Sequence, residues 1–64
     1  MSAKYSVGDT FLIENEPELT ITHVHEELAP WIVYSVATTG PDGEAVDYNL
    51  DEEFLETYGI LTAS

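Results

Sequence analysis

The chain has 64 residues and a mass of 7.1 kDa, and its 13 acidic residues face a single base, Lys4, so the formal net charge is −12. Such a chain cannot neutralise several phosphates, which excludes direct binding to nucleic acid or anionic lipid, and the lack of cysteine excludes disulfides, thiolate zinc sites and a cysteine nucleophile. Leu, Ile, Val and Phe supply 17 of the 64 residues, more than the roughly 20% below which a highly charged chain stays disordered, so one folded domain, residues 1–64, with a thin core is expected.

Val7-Gly8-Asp9 punctuates the start, and Thr10-Phe11-Leu12-Ile13-Glu14 reads as a first strand, broken at Glu16-Pro17. From Glu18 to His25 the sequence alternates with period two, which predicts a second strand with Leu19, Ile21, His23 and His25 on one face. Glu26-Glu27-Leu28-Ala29-Pro30 is a loop. Trp31 to Thr39 is apolar on both faces and predicts the central strand. Gly40-Pro41-Asp42-Gly43 has the chemistry of a tight turn, and Glu44 to Tyr48 returns as a fourth strand.

From Leu50 the period changes. Leu50, Phe54, Leu55 and Tyr58 recur at helical spacing, opposite Asp51, Glu52, Glu53 and Glu56, so a helix is expected over Leu50–Tyr58. Asn49 with Glu52 fits a capping box; Asp51 as the cap would instead let Leu50 staple to Leu55. Gly59 is the expected C-terminal cap, and Ile60-Leu61-Thr62 a closing strand. Phe11, Ile13, Leu19, Ile21, Val33, Phe54 and Leu55 are expected inside, with Trp31 partly exposed. No signal peptide is expected before the first strand, and the longest apolar run, Trp31–Tyr34, falls far short of the roughly 20 residues that cross a bilayer. A soluble, cytoplasmic protein is the expectation.

The glycine-aspartate opening at Val7-Gly8-Asp9-Thr10-Phe11, the hairpin, and the helical turn at Leu50 to Tyr58 before a last strand together resemble a small SH3-like β-barrel of the Tudor and KOW kind, as found in short phage and prokaryotic proteins. The resemblance is architectural and covers most of the chain. It implies a mainly β fold, a barrel of about five strands with one short helix, and a binding module. Basic loops, which the nucleic-acid-binding barrels carry, are missing here, which leaves protein binding.

Acidity is the feature most open to use. An acidic protein can occupy the basic groove of a nucleic-acid-binding protein as a mimic or inhibitor. About 4,100 Å² of surface gives each carboxylate on the order of 300 Å², whereas a duplex carries one charge per roughly 100 Å². Mimicry therefore needs clustered acids. Asp47, Asp51, Glu52, Glu53 and Glu56, joined by Glu26 and Glu27, form the candidate contact set, with Trp31 or Tyr34 as apolar anchor. The alternatives are a salt-adapted accessory domain whose acids are spread evenly, and a structural component or homodimer joined through an open edge at the first strand or after Gly59.

His23 and His25 are only half of a metal site, and Glu26 or Glu27 would have to complete it, so no metal or other cofactor is expected. Beside those carboxylates the two imidazoles are instead candidates for pH sensing. Adjacent carboxylates such as Glu26-Glu27, and the hydroxyls of Ser35, Thr38 and Thr39, lack the opposed environments of an acid/base or nucleophilic site, so no catalytic residues are expected.

Overall fold

In a computed structural model that describes residues 3–27 and 30–64, the β-branched and aromatic runs become strands β1 (Thr10–Ile13), β2 (Leu19–His25), β3 (Val33–Thr39), β4 (Ala45–Asp51) and β5 (Gly59–Ala63). Helix α1 (Glu52–Tyr58) stands between β4 and β5. All neighbours are antiparallel, in one sheet of order β4-β3-β2-β1-β5. The fold is mainly β with one short helix before the last strand. Leu28 and Ala29, expected in the loop after β2, lie outside the described residues.

Turn chemistry fixes the connections. The peptide nitrogen of Asp9 donates to the Ser6 carbonyl, with Gly8 at φ 97° in the third position, the left-handed value that a type II turn needs. Its carboxylate accepts from the Ser6 N–H in return. Asn15, at φ 66°, turns β1 into β2.

β2 departs from simple alternation. Ile21 pairs with Val36 and His23 with Ser35, which leaves Thr22 as an extra residue, a β-bulge. Before the bulge the odd-numbered residues Leu19 and Ile21 face the core; after it Val24, opposite Tyr34, takes that side. His23 and His25 therefore do not share a face with Leu19 and Ile21, as period two alone predicts. β2 is also the middle strand of the sheet, one place over from the expected β3, and β1 is flanked on both sides, so the free edges belong to β4 and β5.

The core comprises Phe11, Leu19, Ile21, Ile32, Tyr34, Val36 and Leu55. Tyr5 closes it from outside, its ring edge-on to Phe11 at 4.8 Å and tilted against Tyr34 at 5.7 Å. Asp51 is the cap of α1: its side chain accepts from the Phe54 N–H at 2.7 Å, so the helix begins two residues later than hydrophobic spacing suggests. With Leu55 turned inward, Phe54 projects outward and is 40% exposed, contrary to its expected place in the core. Trp31 precedes β3 and is 67% exposed.

Gly59 joins α1 directly to β5. A Cβ there would meet the Leu55 carbonyl oxygen at 2.6 Å and the Phe11 ring at 3.2 Å. Gly59→Ala is expected to destabilise the fold by on the order of 1–3 kcal/mol in urea unfolding, the cost of overpacking against backbone; a change below a few tenths would mean that the junction relaxes freely.

Candidate functional site

The sequence-predicted contact residues fall into three groups. Glu26 and Glu27 at the end of β2, and Asp51, Glu52, Glu53 and Glu56 at the start of α1, meet at one end of the sheet, because His25, Val33 and Asp51 are register partners across β2, β3 and β4. Asp47 stands apart, on the outer side of β4 opposite Ala37, about four residues or roughly 13 Å from Asp51 along the strand. Trp31 is exposed. Tyr34, expected as a possible surface anchor, is fully buried at 0% exposure and cannot serve as one: it lies two residues before Val36 on the face of β3 that forms the core.

The acidic end is organised around the N-terminal segment. The N–H of Ala3 donates to Glu26 Oε2 at 2.9 Å and that of Lys4 to Glu52 Oε2 at 3.0 Å. Lys4 Nζ pairs with Glu56 Oε2 at 2.8 Å, and the carboxylate raises the lysine pKa. Glu52 is the most heavily engaged. The Tyr34 hydroxyl donates to its Oε2 at 2.6 Å, and its own peptide N–H donates to the Ile32 carbonyl at 2.8 Å. The Tyr34 hydroxyl bond, followed by the Lys4 N–H, holds the Glu52 pKa below the usual carboxylate range. Burial first, and then the Glu52 carboxylate, pushes the Tyr34 phenol well above its ordinary value. Sequence reasoning missed Lys4 and Tyr5 as parts of this arrangement; the one detectable signal was that Lys4 is the sole base in a chain of 13 acids.

Across the outer side of the sheet, the two histidine rings stack at 6.2 Å. His25 Nδ1 lies 3.2 Å from Glu27 Oε1 and Nε2 lies 2.8 Å from Ser35 Oγ, while the Ser35 hydroxyl donates to Asn49 Oδ1 at 2.9 Å. His25, Ser35 and Asn49 thus form one chain of polar contacts running from β2 through β3 to β4. The hydroxyl proton points away from the imidazole, an arrangement suited to cross-linking three strands. Glu27 is held below the usual carboxylate range by its own backbone N–H and then by His25. Among the described residues no group of three His, Asp or Glu is placed to hold a metal ion.

Three depressions share lining residues around the β1–β2 turn. One of about 670 Å³ lies beside Leu12, Tyr58 and Ile60; one of about 340 Å³ lies between Tyr48, Leu50 and Phe54; another of about 340 Å³ runs between Pro17, Pro41 and Val46. Ile13 lines the first two, Tyr48 the last two, and Glu16 all three. Burial, and then the nearby charge of Glu16, raises the Tyr48 pKa. No helix among the described residues is long and apolar enough to cross a membrane. The chain matches no protein-family model, no curated protein and no solved structure, so the site is read from its own residues.

Removing the Tyr34 hydroxyl tests the buried bond. Tyr34→Phe leaves the Tyr5 N–H without that acceptor and Glu52 without its shortest donor, and is expected to cost about 1–2 kcal/mol in urea at pH 7. Because the folded-state phenol pKa is raised, its contribution is complete below about pH 10 and is lost as pH rises further. The variant should therefore show a shallower alkaline limb in stability against pH; identical limbs would contradict this assignment.

Proposed function

We propose that the protein is a small SH3-like barrel acting as a non-enzymatic binding module, whose acidic end engages a basic surface on a protein partner, one that ordinarily takes nucleic acid. The meander of four strands, with β5 returning beside β1 after a short helix, supports the barrel reading. One observation carries the functional reading. Glu26, Glu27, Asp51, Glu52, Glu53 and Glu56 gather at the end of the sheet where β2 finishes and α1 begins, and Lys4, paired with Glu56, is the sole Lys or Arg of the chain.

The mean spacing alone does not support mimicry, since 13 carboxylates share 4386 Å² of surface, about threefold more dilute than the charge on a duplex. Gathering six of them at one end raises the local charge density above that mean. Hydrogen bonds from Ala3, Lys4 and Tyr34 also fix two of these carboxylates in place, which lowers the ordering cost of binding. The exposed Trp31 remains available as an apolar anchor.

The test compares two double variants that make the same change in net charge at opposite ends of the sheet: Glu27→Lys with Glu53→Lys at the acidic end, and Asp42→Lys with Glu44→Lys at the β3–β4 hairpin. Binding of an arginine-rich peptide is measured by fluorescence anisotropy in about 50 mM salt. The acidic-end pair is expected to weaken binding at least about tenfold and the hairpin pair much less, with both effects shrinking at high salt. Equal losses would instead indicate diffuse charge, as salt adaptation requires.

A further inference from the structure

The core side of the sheet is incompletely covered. Tyr48 is the register partner of Val36 and Leu50 that of Tyr34, so both point toward the core, as does Ile13, two residues beyond Phe11. Yet Ile13, Tyr48 and Leu50 are only half-buried, unlike Phe11, Tyr34 and Val36. The cause lies in the topology. β4 ends the sheet on one side and does not pair with β1 or β5, and the seven-residue α1 bridges only part of the gap. What remains on this side is an apolar depression between Ile13, Tyr48, Leu50 and Phe54, with the Phe54 and Tyr58 ring centroids 4.9 Å apart and the carboxylate-bearing Glu16 lining it and the two depressions beside it.

We propose that this groove takes an extended segment of a partner protein that carries one lysine or arginine between apolar residues, the cation at Glu16 and the apolar side chains against Ile13, Tyr48, Leu50 and Phe54. The inference deepens the protein-binding reading but rests on a different surface from the acidic end. Charge selects the occupant. A second copy of this chain offers Lys4 as its only base, and that lysine is paired with Glu56. Nucleic acid or an anionic membrane would bring phosphates against Glu16 on a molecule of net charge −12. A wholly apolar segment would bury Glu16 without a partner, whereas a cation answers it.

The experiment uses the full chain and two blocked peptides, Ser-Val-Leu-Lys-Leu-Val-Ser and the same peptide with norleucine for lysine, titrated while backbone amide shifts are followed by NMR. The lysine peptide is expected to shift the amides of Ile13, Glu16, Tyr48, Leu50 and Phe54 and to bind at least about fivefold more tightly than the norleucine peptide. Glu16 is solvent-exposed in the β1–β2 turn, so Glu16→Gln should preserve the fold, retain the norleucine peptide's affinity and erase the preference for lysine. Equal affinities in the parent chain, a preference that survives Glu16→Gln, or no binding by either peptide at millimolar concentration would overturn the proposal. Shifts confined to Asp51, Glu53 and Glu27 would also overturn it while leaving the acidic-end reading intact. Groove shifts unaffected by Glu27→Lys with Glu53→Lys would support the groove even if the acidic end binds nothing.

Discussion

A tyrosine hydroxyl placed inside a thin apolar core must find a hydrogen-bond partner, and here that requirement organises the molecule. Tyr34 donates to Glu52 Oε2 at 2.6 Å, and the same oxygen accepts from the N–H of Lys4 at 3.0 Å. One carboxylate thus ties the N-terminal segment, an interior strand and the start of the helix, segments as far as 48 residues apart in sequence. The peptide N–H of Glu52 is also bound, to Ile32. With α1 anchored in this way, Leu55 enters the core, and Tyr5 is brought over Phe11 and Tyr34. In a domain of 64 residues, which buries only about 60% of its unfolded surface, such a polar link replaces apolar area that the chain does not possess.

The same link shapes what the surface offers. Glu52 and Glu56 are partly neutralised by the N-terminal segment, so the acidic end is a structured array in which some carboxylates hold the fold and others, such as Glu53, face solvent. Repulsion among them is moderated by Lys4 and by the positive end of the helix, where Asp51, Glu52 and Glu53 sit. Away from this end, the short helix leaves the seam between β4 and β1 open. The acidic array suits a broad basic surface, and the apolar seam suits a single extended segment. These are separate demands on a partner, and one protein could meet both.

Much of this was legible from residue order. Strand positions, the Gly40-Pro41-Asp42-Gly43 turn and a helix start within 49–51, with Asp51 one of its two candidate caps, follow from local rules, because each depends on a few neighbouring residues. The Thr22 bulge is different. Nothing in Thr20-Ile21-Thr22-His23 marks an extra residue, and its effect, which exchanges His23 for Val24 on the core side, arises only on pairing with β3. Tyr34 was misread because a strand apolar on both faces does not show which face meets the core, and Phe54 because a strict helical period cannot say which of two adjacent apolar residues turns inward. The acidic end was half legible: its members could be named, but Asp47 is separated from them by strand geometry, and the roles of Lys4 and Tyr5 depend on contacts more than 28 residues apart in sequence. Glu16 reads in sequence only as part of a strand break; its place at the centre of a groove is a property of the unclosed sheet.

The most direct test of the Tyr34–Glu52 link is the titration of the Glu52 side-chain carboxyl by carbon NMR, in the parent chain and in Tyr34→Phe. The account predicts that Glu52 titrates below the exposed glutamates in the parent and moves up toward them when the hydroxyl is removed, with the stability it contributes present above the ordinary carboxylate pKa and lost as pH falls through the lowered value. A Glu52 that titrates with the exposed glutamates in both proteins would contradict it, and the anchoring of helix and N-terminal segment would then have to come from apolar packing alone.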